Sequence, residues 1–278
     1  MTTDSTPTQN TDFELFFKML EGHTGIAMGN EKEYLLAPRL SSIAQKNGFT
    51  DHVSLIKELV SKPICPLHWV TFEAMATHET MFFRDTHPFQ AIKDVLLPQL
   101  IHAKRDSNKL SIWCAAASTG QEPYSMAMLL RESFPNLSDW DVKIHATDLS
   151  ERALSQARSG IYSRSEMQRG LTQEQISRHF TRLESGHYQV NSDLRKMIQF
   201  ENINLTKPWH VLPKSDLILM RNILIYFNQE KKQMVLSKMR DQLSDAGGYL
   251  MLGASESILF DASFKLHRLE RVSYYSKA

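Results

Sequence analysis

The stretch Ser111-Ile-Trp-Cys-Ala-Ala-Ala-Ser-Thr-Gly-Gln-Glu-Pro-Tyr-Ser125 constrains the fold more than any other part of this chain. An apolar run ends in small residues, a Ser-Thr-Gly turn follows, and Glu122-Pro123 opens a helical pattern. Strand, tight turn and helix in that order form the ligand-cradling unit of a doubly wound α/β sheet. The turn holds one glycine, Gly120, so the G-x-G-x-x-G fingerprint is absent. A pyrophosphate needs several glycines for close backbone approach, whereas a nucleoside without phosphates does not. The turn therefore points away from NAD and toward an adenosine cofactor such as S-adenosylmethionine.

An alternation of strands and helices continues from this unit. The pattern predicts strands at Leu110–Ala117, Val142–Thr147, Met197–Asn204, Asp216–Met220 and Tyr249–Gly253, with a terminal hairpin over His267–Tyr275. Helices are predicted at Pro123–Phe134, Glu151–Arg158 and Gln229–Leu243. The expected fold class is α/β, a Rossmann-like sheet, mostly parallel and covered on both faces. A long stretch, residues 160–196, separates the second and third strands. It holds a helical piece (Thr172–Phe180) and a turn-rich segment (Glu184–Asp193) suited to a short antiparallel hairpin.

The N-terminal quarter has a different rhythm. Phe13, Phe16, Phe17 and Leu20 fall at the i, i+3, i+4, i+7 spacing of a buried helix stripe. A second helix is expected over Glu31–Lys46, kinked or restarted by Pro38, and a third carries Val53, Ile56, Leu59 and Val60. Thr71–Phe83 is expected as another helix or a linker. The implied organisation is a frayed tail over 1–12, a helical domain over 13–76, linker helices over 77–109, and the α/β domain over 110–278 with its insertion at about 160–196.

Composition excludes several classes. A formal net charge of +1 gives no bulk attraction to nucleic acid or anionic lipid. Cys65 and Cys114 stand alone and far apart, so neither a disulfide framework nor a zinc knuckle is expected. The first twelve residues lack the basic and apolar regions of a signal peptide, and Arg221 interrupts the longest apolar run. These features predict a soluble cytoplasmic protein without membrane insertion, nucleic-acid partner or metal.

Candidate site residues cluster at predicted strand ends. Asp148 closes the second strand, where an acidic residue accepts hydrogen bonds from ribose hydroxyls; the competing role is capping of the helix that follows. Glu122 either complements the helix dipole or faces a cationic sulfonium. In Thr77-His-Glu-Thr-Met-Phe-Phe-Arg-Asp85 a zinc-binding H-E-x-x-H fails because Phe82 stands at the second histidine position. Thr80 and Arg84 are there as ligand donors, Arg84 to a carboxylate, or else Arg84 is a surface cation. Arg221-Asn222 follows the fourth strand, and Asn204-Leu205 ends the third, where Asn204 also suits a turn.

With these elements assembled, the chain resembles the chemotaxis receptor glutamate methyltransferases, the CheR family, along nearly its whole length. The matching elements are Thr80-Met-Phe-Phe-Arg84, Cys114 to Ser125, Ala146-Thr-Asp148, Ala157-Arg-Ser-Gly-Ile-Tyr162, Asn204-Leu205 and Arg221-Asn-Ile-Leu-Ile-Tyr-Phe227. The resemblance implies a class I S-adenosylmethionine methyltransferase sheet with an all-helical N-terminal domain and a small β-subdomain. It assigns His78, Thr80, Arg84, Glu122, Asp148, Asn204, Leu205, Asn222 and Ile223 to the cofactor. His78 departs from the asparagine frequent in the family at that position. The resemblance also implies a partner, the cytoplasmic helical domain of chemoreceptors, facing the N-terminal helices. Lys32, Arg39 and Lys46 recur every seven residues and are expected on one helix face as substrate contacts, or as a solvated surface. Some members dock a receptor C-terminal pentapeptide on the β-subdomain. The loop Leu183–Gln189 is short here, which favours a member without that tether.

The implied reaction is methyl esterification of glutamate side chains, leaving S-adenosyl-L-homocysteine. A glutamate carboxylate is already ionised at neutral pH, so no general base and no catalytic dyad is expected. Arg221 and Tyr226 are the available orienters of the incoming carboxylate, and neither is assigned. The rival readings are an NAD oxidoreductase, a methyltransferase with another substrate, and a non-enzymatic S-adenosylmethionine-binding module.

Overall fold

The computed structural model describes residues 7–210 and 212–278. The chain divides into a unit of residues up to Thr77 joined by Tyr226–Lys232, and a unit of His78–Ile225 with Gln233–Ala278. No helix among the described residues is long and apolar enough to cross a membrane.

In the first unit α1 spans Pro7–Thr24 and buries Phe13, Phe16, Phe17 and Leu20, the stripe its spacing predicts. The helix starts at Pro7, inside the stretch expected to fray; a proline fits a first turn because its missing N–H has no intrahelical partner there. Residues 1–6 of that expected tail lie outside the described residues. The single helix expected over Glu31–Lys46 is instead a 3-10 segment, Asn30–Leu35, followed by α2, Leu36–Lys46. Pro38 falls in the first turn of α2, so it restarts the helix rather than bending it. α3 (His52–Val60) begins at a capping box between Asp51 and Ser54, and α4 (Pro66–Met75) begins with proline at its first position. Phe16, Leu20, Leu36, Leu40, Leu55, Ile56, Leu59, Phe72 and Met75 form one core here. Each contributes roughly 1.5–3 kcal/mol of burial.

The second unit opens with α5 (His87–Ala91), one π turn (Ile92–Leu96) and α6 (Leu97–Lys104). Leu97 N–H reaches back to Ile92 O, and Pro98, lacking an N–H, follows it. These helices were expected as linkers. Phe89, Ile92, Leu96, Leu97 and Leu100 instead share the core of the sheet.

The alternation is then β1 (Lys109–Ala115), α7 (Gln121–Ser133), β2 (Asp141–Asp148) and α8 (Glu151–Ser159). The insertion follows: β3 (Ile161–Tyr162), α9 (Arg164–Met167), α10 (Gln173–His179), β4 (Phe180–Arg182), β5 (Tyr188–Val190) and α11 (Ser192–Arg195). The chain returns through β6 (Ile198–Asn202), β7 (Leu217–Met220), α12 (Gln229–Gln242), β8 (Tyr249–Leu252), β9 (Phe264–Leu269) and β10 (Val272–Lys277). The main sheet has the order β6-β2-β1-β7-β8-β10-β9. All its pairings are parallel except the two made by β10. β1 and β7 are buried apolar runs, as a parallel sheet covered on both faces requires. The small sheet has the order β3-β5-β4, and Leu183 N–H bonds His187 O to close its hairpin.

The main sheet reverses direction of growth at β1, which is flanked by β2 and β7. Ligands of open α/β sheets bind outside the strand carboxyl ends at that reversal. Counted along the chain, the main strands run 3-2-1-4-5-7-6, with the last one inserted antiparallel. Dinucleotide-binding sheets run 3-2-1-4-5-6.

Candidate functional site

The turn after β1 is built almost without glycine. Ala116, Ser118 and Gly120 all have positive φ (65°, 51° and 96°). Glycine is required at the last of these for a second reason: a Cβ there would lie 2.8 Å from Ala157 Cβ on α8. Tyr162 donates its hydroxyl to Thr119 O at 2.7 Å, and Ser118 Oγ donates to His78 O at 3.2 Å. The turn is thus pinned from α8, from β3 and from the segment before the Arg84 loop.

Asp148 ends β2 and is 9% exposed. Its Oδ2 accepts Ser118 N–H at 2.8 Å and its Oδ1 accepts Ser150 N–H at 2.9 Å. The cap of α8 is Ser150, whose hydroxyl accepts Ala153 N–H at 3.1 Å. Capping is therefore not the task of Asp148.

Arg84 lies in a loop of unusual backbone. Phe83, Asp85 and Thr86 have φ of 48°, 68° and 48°, and such conformations persist where the surroundings over-determine them. The surroundings here are explicit. Phe83 N–H donates to Ser125 Oγ at 2.9 Å, and Arg221 donates to Arg84 O at 2.9 Å and to Asp85 Oδ2 at 2.7 Å. Gly170, from the insertion, packs against the Phe82 carbonyl so closely that a Cβ would sit 1.8 Å from its oxygen. Arg84 itself is half-buried and donates once, to Glu79 O at 2.7 Å, leaving most of its five donors for a ligand. Thr80 and His78 are half-buried beside it along the chain.

Glu122, in the first turn of α7, accepts from Arg221 at 2.8 Å. The Arg221 side chain is 2% exposed, and that of Glu122 is 14% exposed. Burial pushes the Glu122 carboxyl up, and Arg221 offsets part of that shift. The sequence reading offered Glu122 as a carboxylate for a helix dipole or a sulfonium. In the structure it stays in the first turn of α7 and also pairs with a buried guanidinium. Cys114, at the same end of β1, is pushed well up by burial and is a packing residue.

The remaining candidates flank this network. β6 stops at Asn202, short of the expected end at Asn204. Asn204 Oδ1 accepts from Thr206 N–H at 2.9 Å, the turn chemistry its type suggested, and Leu205 is buried. Asn222 has φ 59°, and its N–H donates at 2.7 Å to Glu256 Oε2, a residue the sequence reading did not single out. Ile223 is half-buried next to it. His78, Thr80, Arg84, Glu122, Asp148, Asn204, Leu205, Asn222 and Ile223 all belong to the second unit. They lie in loops or element ends, and those on strand exits follow β2, β6 and β7.

The basic trio does not hold as one helix face. Lys32 is in the 3-10 segment and the other two in α2, so the seven-residue repeat is broken by the change of winding at Leu36. Arg39 is committed inward: it donates to Met75 O, to Ala76 O at 3.4 Å and to Thr77 Oγ1 at 3.2 Å, closing the end of α4. Lys46 is exposed and Lys32 half-buried.

Arg221 bonds Glu122 and Asp85 here, and Arg84 and Glu256 act electrostatically on the same Glu122 carboxylate. The parallel sheet with its reversal at β1, the antiparallel last strand and the turn with its single glycine are those of a class I S-adenosylmethionine methyltransferase fold. Residues 78–272 match the family model described as CheR methyltransferase, SAM binding domain, and residues 11–72 match CheR methyltransferase, all-alpha domain. The chain belongs to the CheR methyltransferase family. It is 39% identical over 252 residues to chemotaxis protein methyltransferase 1 of Pseudomonas aeruginosa, covering 90% of this chain and 91% of that protein. Identity is 38% over 250 residues to chemotaxis protein methyltransferase 1 of Vibrio cholerae, covering 89% of each chain. It is 36% over 254 residues to the methyltransferase Cher2 of Pseudomonas putida, covering 90% of this chain and 92% of that one.

Proposed function

We propose that the protein transfers the methyl group of S-adenosylmethionine to glutamate side chains of chemoreceptor cytoplasmic domains, forming glutamyl methyl esters. The observation that carries this reading is Asp148, a buried carboxylate at the end of β2 that the Ser118 and Ser150 N–H groups hold in place beside the turn after β1. The donor set around it fits a phosphate-free cofactor. Asp148 would take the ribose hydroxyls, Arg84 the methionine carboxylate, and Thr80, His78, Asn204, Leu205, Asn222 and Ile223 the remaining edges. Glu122 contributes through Arg221, which holds the Arg84 loop in place.

When bound, the cofactor supplies an electrophilic methyl carbon on a sulfonium. The protein has no proton to move, because the accepting carboxylate is ionised at neutral pH. Its task is to align attacking oxygen, carbon and leaving sulfur and to exclude water, which together account for most of the expected acceleration. The carboxylates Glu122 and Asp148 favour a cationic cofactor, and Arg221, spent on Glu122, Asp85 and the Arg84 carbonyl, keeps the Arg84 loop in place. Lys46 remains the best-placed of the three basic residues for contact with an acidic receptor helix, since Arg39 is spent on α4. The short hairpin Leu183–His187 suits a receptor that needs no C-terminal tether.

The test is a methylation assay with purified chemoreceptor cytoplasmic fragments and labelled S-adenosylmethionine. Alkali-labile label on receptor glutamates is expected, since methyl esters hydrolyse in base. Label that survives alkali, or none with any receptor fragment despite cofactor binding, overturns the reading.

A further inference from the structure

We infer that Glu256 is a positioning residue for the cofactor site, acting through Asn222. Glu256 lies just after β8, in a loop rather than on a strand exit counted among the site residues. Its carboxylate collects three backbone N–H groups: Asn222 at 2.7 Å and Gly253 at 2.7 Å on Oε2, and Ile225 at 3.4 Å on Oε1. Two of these belong to the segment that leaves β7 and carries Asn222 and Ile223. The third is its own chain at the end of β8. The carboxylate therefore ties two neighbouring strand exits together at the crevice.

Three further facts fit this role. Asn222 holds a φ of 59°, a left-handed conformation that asparagine adopts more readily than most residues, and the bond from its N–H to Glu256 fixes it there. Gly253 cannot carry a side chain here: a Cβ would lie 2.8 Å from Glu256 Oε2, 2.9 Å from Asn222 N and 2.7 Å from Asn222 Nδ2. Glu256 also reaches Glu122 electrostatically, pushing that carboxyl further up, so it stands beside the Arg221 network as well. The three-residue step from Gly253 to Glu256 is thus a clamp: glycine gives the room, and glutamate supplies the acceptors.

The inference rests on the cofactor reading, and its test separates the two. S-adenosylmethionine affinity and steady-state kinetics are measured for wild type, Glu256→Gln, Glu256→Ala and Gly253→Ala, with thermal melting as the check on folding. Glu256→Ala is expected to raise the KM and Kd for S-adenosylmethionine about tenfold, the loss of one or two charge-assisted bonds, while the KM for receptor is unchanged. Glu256→Gln keeps one acceptor oxygen and should fall between wild type and Glu256→Ala. Gly253→Ala should reproduce the defect from the other side of the clamp. A role confined to stability would lower the melting temperature and the active fraction and leave the KM where it was; that result, or an unchanged Kd in Glu256→Gln and Glu256→Ala, overturns the inference. If the alanine variants do not fold, Glu256→Gln decides alone. Absence of S-adenosylmethionine binding by wild type counts against the cofactor reading instead.

Discussion

Arg221→Met tests the ion network most directly. Arg221 is the sole cation bonded to Glu122 among the described residues, and its side chain is 2% exposed. Methionine keeps most of the volume and removes the charge. Breaking one partner of a buried pair costs about 3–5 kcal/mol. The Asp85 arm deserves a discount, because the Asp85 side chain is 40% exposed and regains water, as surface pairs worth ~0–1 kcal/mol do. The cost falls mainly on Glu122, 14% exposed, and on the freed Arg84 carbonyl. A loss of about 3–4 kcal/mol at pH 7.5 is the expected result.

The pH dependence gives this number a signature. Burial already holds the Glu122 carboxyl above its ordinary 4.5, and removing Arg221 raises it further. A carboxyl with a raised folded pKa binds more protons in the folded state, so stability falls as pH climbs from 4.5 through the folded value. The penalty of Arg221→Met should therefore be small near pH 4.5 and complete above the raised value. Urea unfolding at several pH values reads it, provided the m-value is unchanged. Glu122→Gln added to Arg221→Met should recover at least ~1.5 kcal/mol at pH 7.5, since the stranded charge is gone. A loss below ~1 kcal/mol, an equal loss at both pH extremes, or no rescue by Glu122→Gln would refute the reasoning.

Three other outcomes follow from the same geometry. Asp148→Ala should weaken S-adenosylmethionine binding by about 1–3 kcal/mol through stranded ribose hydroxyls; isothermal titration with unchanged affinity removes it from the site. Gly120→Ala forces a side chain into φ +96° and within 2.8 Å of Ala157 Cβ, so a loss of at least ~2 kcal/mol in denaturant unfolding is expected. His145 is held below its ordinary 6.5 chiefly by burial, with Lys143 adding and Glu201 opposing, and its Nε2 has no partner among the described residues. The unfolded chain then takes up the proton first as pH falls below 6.5, so wild type loses stability into acid. His145→Leu should show a smaller drop in melting temperature between pH 7.5 and 5.5, and an equal drop would count against this account.

What could be read from sequence, and what could not, follows the range of the forces involved. The strands β1, β7 and β8 were legible because a parallel sheet buried on both faces must be an unbroken apolar run, and Leu217–Met220 is one. The Phe13 to Leu20 stripe was legible for the same local reason. Pro38 was ambiguous because a proline breaks a helix interior yet opens a new helix, and only packing chooses between these. Asp148 was placed correctly at a strand end, but its freedom from capping depended on Ser150 taking that bond two residues on. The trio Lys32, Arg39 and Lys46 failed as a face because periodicity carries no knowledge of Met75 and Ala76, whose carbonyls draw Arg39 inward.

The least legible features are the pairings that organise the site. Arg221 and Glu122 are separated by 99 positions, and Asn222 and Glu256 by 34. No local propensity marks either pair, since an arginine after a strand or a glutamate after a glycine is ordinary surface composition. Their meaning comes from packing: a guanidinium that is 2% exposed must find carboxylates, and Asn222, at φ 59°, donates its N–H to the half-buried Glu256. The strained Phe83–Thr86 loop, the Arg221 bonds to it and the Glu256 clamp are then one device. The buried Arg221 guanidinium holds the loop that carries Arg84, and the half-buried Glu256 carboxylate holds Asn222. For the displacement proposed above, holding the groups in place in advance is how the protein can lower the barrier.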